Sequence, residues 1–171
     1  MINKNITLVS IKDIKDKKII EKISFLKKQY WNYPIKELNN WFRKNIDKKD
    51  INNLMFCSNK LVGYTCLRLG SYKLENKKNK IYYFDTLIVD KNYRKNNFGG
   101  IIMNFNNYII KESSIPSFLI CEKLMVKFYE KYGWKNKIKK FSIVNHDLKK
   151  KNLMCFNFKN KISNKEIIFK I

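Results

Sequence analysis

The stretch from Leu87 to Met103 constrains the fold more than any other part of the chain. It opens as an apolar run, Leu87-Ile88-Val89, crosses a polar segment holding Arg94, and reaches Gly99-Gly100. From Phe98 onward, Ile101, Ile102, Phe105 and Ile109 recur at helical spacing. A strand, a short loop and a helix start thus follow one another directly. A helix start carries unpaired N–H groups and the positive end of the peptide dipole, so the segment predicts an anion-binding loop. Glycine there lets backbone approach a ligand closely.

A chain of 171 residues fits one domain, residues 1–171, with one sizeable core. An apolar content of 44% and an aromatic content of 15% supply that core and exclude a disordered chain. No apolar run is long enough to span a bilayer, and Met1 to Asn5 lacks the apolar centre of a signal peptide. The expectation is a soluble, cytoplasmic protein with no membrane partner, a monomer or homodimer. The formal charge of +23 suggests nucleic acid, but only Arg43, Arg68 and Arg94 are arginine, against 34 lysines and 23 asparagines. Lysine and asparagine in excess are what an AT-rich coding sequence produces, and base-specific recognition favours the arginine fork. The charge therefore weighs more towards solvated faces than towards a nucleic-acid surface, while still attracting a phosphorylated ligand. Cys57, Cys66, Cys121 and Cys155 are far apart in apolar runs, and the chain has one histidine, so no metal site is expected.

Asn5 to Ile11 reads as a first strand, after which Asp13 or Asp16 can cap a helix carrying Ile19, Ile23, Leu26 and Tyr30. Pro34 opens a second helix. The intervening block from Tyr30 to Pro34 is unusually aromatic. It is either cover for the core or, through Trp31 and Tyr33, one wall of an acceptor pocket. Leu54 to Ser58 and Leu61 to Leu69 form a hairpin joined at Asn59-Lys60, with Gly63 marking a bulge or a close approach. A turn over Lys73 to Lys80 leads to a long apolar strand, Ile81 to Val89, in which Asp85 is the one acid. Ser117 to Cys121 is a short buried strand. Leu124, Phe128 and Tyr132 mark a helical stripe closed by Gly133. Strands at Phe141 to Val144, Leu153 to Phe158 and Ile167 to Phe169 complete the chain. The order predicts a mixed α/β (α+β) domain: a central, mostly antiparallel sheet flanked by about four helices.

Arg94-Lys95-Asn96-Asn97-Phe98-Gly99, after its apolar strand, resembles the cofactor motif of the GNAT acyltransferase superfamily. That motif is Arg or Gln, two residues, Gly, one residue, then Gly or Ala. Asn97 replaces the first glycine, and asparagine is the non-glycine residue that best tolerates positive φ. Phe128 to Trp134 is similar to the family's Phe-Tyr helix that ends in glycine and an aromatic. The resemblance implies a splayed sheet and an acetyl-CoA-dependent N-acetyltransferase, in which a neutral amine attacks the thioester directly. It implies that Arg94, Lys95, Asn96, Asn97, Phe98, Gly99 and Gly100 hold the CoA pyrophosphate. It further implies that backbone groups of Leu87, Ile88 and Val89 pair with the pantetheine arm, and that Tyr129 protonates the departing thiolate.

The attacking amine must lose a proton, and Asp85 is the best candidate base, its other role being an ion-paired or hydrogen-bonded core acid. His146 beside Asp147 is a lesser candidate, because adjacent residues of an extended segment point apart. The implied acceptor is a small-molecule amine, such as an amino sugar or amino acid derivative. The alternatives are a ribosomal or other protein acceptor, or a basic protein that binds RNA or acidic partners on the same fold.

Overall fold

The computed structural model describes residues 5–74, 77–136, 138, 140–144, 151–158 and 166–171; His146 lies outside them. Among these residues are four α-helices and an open, mixed, mostly antiparallel sheet of eight strands, the fold class expected from the sequence. The strand order is β1-β2-β3-β4-β5-β7, with β8 pairing both β3 and β6. The chain forms two compact units. The first comprises Met1–Leu67 and Thr86–Asn106, the second Arg68–Asp85 and Asn107–Ile171.

In the first unit, β1 (Ile6–Lys12) pairs antiparallel with β2 (Ile51–Cys57). Asp16 caps α1 (Lys17–Lys28) by accepting the Lys18 N–H at 2.8 Å, satisfying a donor the helix cannot. Pro34 precedes α2 (Ile35–Asn45), where its missing N–H costs no helical bond. β2 turns into β3 (Lys60–Leu74) through Ser58 and Asn59, both left-handed at φ 48° and 65°. Two consecutive positive-φ residues match the right-handed twist of a hairpin, so the turn falls one residue earlier than expected. The β2–β3 register shifts beside Gly63, where an added Cβ would meet the Met55 methyl at 2.6 Å. Strand alternation divides the core. Leu54 and Tyr64 join Ile20, Ile23 and Leu26 of α1, Phe42 of α2 and Ile88, whereas Met55 and Val62 join Val89, Phe98 and Ile102.

The second unit holds the remainder of β3 and the first part of β4 (Lys77–Val89), followed by β5 (Ser117–Cys121). The sequence suggested a turn from Lys73 to Lys80, but both strands run into it. Ser71 to Lys73 pair with β8 (Ile167–Lys170), and those ladder bonds override the low strand propensity of the lysines and asparagines. β4 pairs parallel with β5 at Tyr82–Ser117 and Tyr83–Phe118, and β5 pairs antiparallel with β7 (Asn152–Phe156). β6 (Phe141–Ile143) pairs parallel with β8. Phe118 and Phe169 stack at 4.3 Å within a core that also buries Tyr72, Ile81, Ile143 and Leu153. α3 (Phe98–Ser113) passes from one unit to the other. α4 is shorter than the apolar stripe implied, Val126–Lys131, because Lys123–Met125 form a 3-10 turn that leaves Leu124 exposed.

Candidate active site

In the first unit, the side chains of Ile88 and Val89 are buried in the core, so any contact from this strand end to a ligand is made by backbone. Two of those backbone groups have partners already. The Val89 carbonyl accepts the Tyr30 hydroxyl at 2.5 Å, and the Asp90 N–H donates to the Val62 carbonyl at 2.8 Å. Asp90 then caps a short 3-10 turn, Lys91–Tyr93, by accepting the Asn92 N–H at 2.9 Å. Burial would raise the Asp90 carboxyl. The Asn92 N–H, Lys60 at 3.2 Å and the Gln29 side chain together outweigh burial and hold it below the usual carboxylate range.

Beyond Arg94 the backbone turns left-handed twice, at Lys95 (φ 68°) and at Asn97 (φ 58°). Asn97 therefore adopts the conformation that a glycine would otherwise supply. Its carbonyl receives the Ile101 N–H at 3.0 Å, the first bond of α3. Phe98 is buried edge-on against Tyr93 at 5.6 Å, anchoring the helix start. Arg94 to Asn97 are exposed, and two cationic residues, Arg94 and Lys95, lie just before the first turn of the helix in sequence. Gly99 and Gly100 lie inside that turn with ordinary helical φ. Neither is therefore required there for a positive-φ conformation.

In the second unit, Tyr129 is buried on α4, edge-on to Phe84 of β4 at 6.4 Å and tilted against Trp134 at 6.3 Å. The helix closes behind it through Gly133 (φ 81°). The Gly133 N–H reaches the Glu130 carbonyl at 2.9 Å, and the Trp134 N–H reaches that of Tyr129 at 3.2 Å. Trp134 is fully buried and donates its indole N–H to the Asn107 carbonyl oxygen at 3.0 Å. Asn107 in turn donates to the Tyr132 carbonyl at 2.8 Å. The Phe-Tyr…Gly-Trp pattern is thus a locked helix end that fixes Tyr129. Burial pushes the Tyr129 hydroxyl well above the ordinary phenol range, and the neighbouring Cys121 and Tyr83 add to the shift. Tyr83 is likewise pushed up to about 12 by burial and then by Asp85. Asp85 lies 3.8 Å from the Arg68 guanidinium, and both side chains are largely buried. That ion pair is the structural role open to Asp85 besides that of base.

No family model and no curated protein matches this sequence. Solved structures do match. An aminoglycoside 6′-N-acetyltransferase complexed with coenzyme A aligns with TM-score 0.63 at 14% identity, over 91% of this chain and 99% of that one. A GNAT-family acetyltransferase from Streptococcus pneumoniae aligns with TM-score 0.61 at 14% identity, over 89% and 98%. The fold is that of the GNAT acetyltransferases. A conserved Enterococcus faecalis protein of unknown function aligns with TM-score 0.67 at 13% identity over 78% of this chain, which spans 33% of that larger protein. Identities this low establish the GNAT architecture and leave the chemistry to the residues.

On this GNAT scaffold Trp31 and Tyr33 are 43% and 55% exposed, in the segment between α1 and α2, so part of each ring faces solvent. Trp41 is engaged by Lys27, whose ammonium lies 3.8 Å from the ring centroid. Among the described residues no cluster of three His, Cys, Asp or Glu could hold a metal. Three contributors escape sequence reasoning: Tyr30 and Gln29 at the end of α1, and Arg68 beside Asp85. The only signal for Arg68 was its being one of three arginines in a lysine-rich chain.

Proposed function

We propose that the chain is an acetyl-CoA-dependent N-acetyltransferase. The observation that carries this is the left-handed Asn97, which gives the junction of β4 and α3 a glycine-like loop conformation at a helix start flanked by Arg94 and Lys95. In this reading the backbone of residues 94–100 and the Arg94 side chain receive the CoA pyrophosphate, with Leu87 to Val89 contributing backbone to the pantetheine arm. The amine nitrogen attacks the thioester carbonyl, the C–S bond breaks, and the sulfur leaves as a thiolate.

Tyr129 stabilises that sulfur. With its hydroxyl raised by burial, Tyr129 stays protonated throughout the neutral range. Full transfer to a less basic thiolate is uphill, so Tyr129 acts mainly by hydrogen bonding the developing charge, and solvent completes protonation. Asp85 accepts the amine proton, directly or through water, while Arg68 orients its carboxylate. Trp31 and Tyr33 offer aromatic faces to a cationic or sugar-like amine. A small-molecule amine acceptor agrees with these faces, and a peptide amine is the competing class.

The test is release of free CoA thiol from acetyl-CoA in the presence of a kanamycin, spermidine, lysine and Ala-initiated peptide panel. Turnover with any member supports the enzyme reading and ranks the acceptor classes. An absence of turnover, together with acetyl-CoA binding no stronger than that of heparin, would replace it with a basic binding protein.

A further inference from the structure

We infer that Tyr30 is a positioning residue that couples the cofactor loop to the acceptor segment; this rests on the loop being the CoA site. Its hydroxyl has two partners at once, donating to the Val89 carbonyl at 2.5 Å and accepting from Arg94 Nε at 3.1 Å. The Arg94 guanidinium also lies 4.6 Å from the centroid of the Tyr30 ring. One residue earlier, the Gln29 side-chain oxygen accepts the Lys91 N–H at 2.9 Å. Consecutive residues at the end of α1 therefore hold three positions of the loop, Val89, Lys91 and Arg94. They are themselves fixed to the helix, because the Tyr30 and Trp31 N–H groups both donate to the Lys27 carbonyl at 3.0 Å.

The consequence for Arg94 is specific. With Nε committed to Tyr30 and its plane over the ring, its terminal nitrogens are left to meet a phosphate in a fixed orientation, so less rotamer freedom is lost on binding. The consequence for the acceptor segment follows from chain continuity. Trp31 adjoins Tyr30, with ring centroids 6.0 Å apart, and Tyr33 follows through its N–H bond to the Trp31 carbonyl at 2.8 Å. Ordering of the loop by a ligand is transmitted through the Tyr30 hydroxyl, with the Gln29–Lys91 bond beside it, to the residues proposed to receive the amine. The coupling is reciprocal: a ligand seated on either segment favours the ordered form of the other.

Hydrogen exchange measured by mass spectrometry on the full chain tests this, with acetyl-CoA as the probe, for wild type and Tyr30→Phe. In wild type, saturating acetyl-CoA slows exchange both in residues 91–97 and in residues 29–33. In Tyr30→Phe, which keeps the ring and the Gln29–Lys91 bond, residues 91–97 remain protected, the response of residues 30–33 is lost, and the dissociation constant rises roughly three- to tenfold, as expected for losing hydrogen bonds to a charged group and a carbonyl. Protection of 91–97 alone in wild type overturns the coupling and leaves the cofactor site standing. So does an unchanged joint response and affinity in Tyr30→Phe. No protection of either segment in wild type, with no calorimetric binding of acetyl-CoA, overturns the cofactor site and the coupling together.

Discussion

Asn97 sets the left-handed conformation of the loop between β4 and α3, and replacing it separates conformation from contact. At φ 58° an L-residue is in the left-handed region, where the Cβ crowds its own backbone at a cost of roughly 1–2 kcal/mol. Asparagine pays the low end of that range, and a β-branched residue the high end or beyond. Asn97→Val should therefore add about 1–2 kcal/mol of strain if the loop keeps its shape. In a chain of this size each kcal/mol moves the melting temperature by roughly 2–4 °C, so the expected loss is about 2–8 °C. If the loop relaxes instead, the melting temperature holds and the same free energy appears as weaker acetyl-CoA binding, about tenfold for each 1.4 kcal/mol. Asn97→Gly removes the strain but releases roughly 0.5–1 kcal/mol of backbone entropy to the unfolded chain, leaving stability and affinity near wild type. Far-UV circular dichroism melts and acetyl-CoA calorimetry on all three proteins read both quantities. A valine variant that melts and binds like wild type would refute the conformational role. A glycine variant that binds as poorly as valine would show that the Asn97 side chain itself is needed.

Tyr129→Phe should reduce kcat about ten- to a hundredfold, the size of a lost hydrogen bond to developing charge, with acetyl-CoA affinity nearly unchanged; unaltered turnover assigns thiolate stabilisation to water. Asp85→Asn should lower kcat about a hundredfold or more with acetyl-CoA affinity nearly unchanged, and unaltered turnover acquits Asp85. Asp90 contributes to stability against acid. Its folded carboxyl titrates below the unfolded value of about 3.9, so its contribution is complete above that value and is lost as pH falls through the folded one. The urea midpoint of wild type should accordingly fall more steeply than that of Asp90→Asn below about pH 4, and parallel curves would remove Asp90 from the account. Asn106→Ala should cost roughly 2–4 kcal/mol by urea unfolding, since it strands the buried Asn53 amide (2.9 Å) and Thr65 hydroxyl (3.0 Å) that Asn106 now receives; a loss under about 1 kcal/mol would mean that water replaces it.

Local chemistry made most of the elements legible. Asp16, Pro34 and Gly133 mark helix boundaries through bonds made within a few residues; Pro34 and Gly133 stand where the sequence placed them, and of the two caps the sequence offered for α1, Asp13 and Asp16, it is Asp16 that serves. The strand extension past Leu69 was not legible, because its cause is β8, almost a hundred residues away. Leu124 misled for a similar reason. Its spacing fits a helix, but the chain there takes a 3-10 turn, and the residue faces solvent. The candidate site divides the same way. The left-handed potential of Asn97 can be read from its residue type, whereas the Tyr30 bonds to Val89 and Arg94 span about sixty residues and leave no periodic trace. Asp85 was legible as an acid in an apolar strand, but its arginine partner was not, because the pair joins two strands whose register only the folded sheet defines.

Isothermal titration of acetyl-CoA into the wild-type chain at near-physiological salt, with Arg94→Glu alongside, tests the seat of the cofactor most directly. The account predicts a single saturable site in wild type that survives added salt, and a loss of at least about tenfold for Arg94→Glu, since reversing the charge turns a phosphate contact into repulsion. Binding that is unsaturable, vanishes with salt and is indifferent to Arg94 would contradict it.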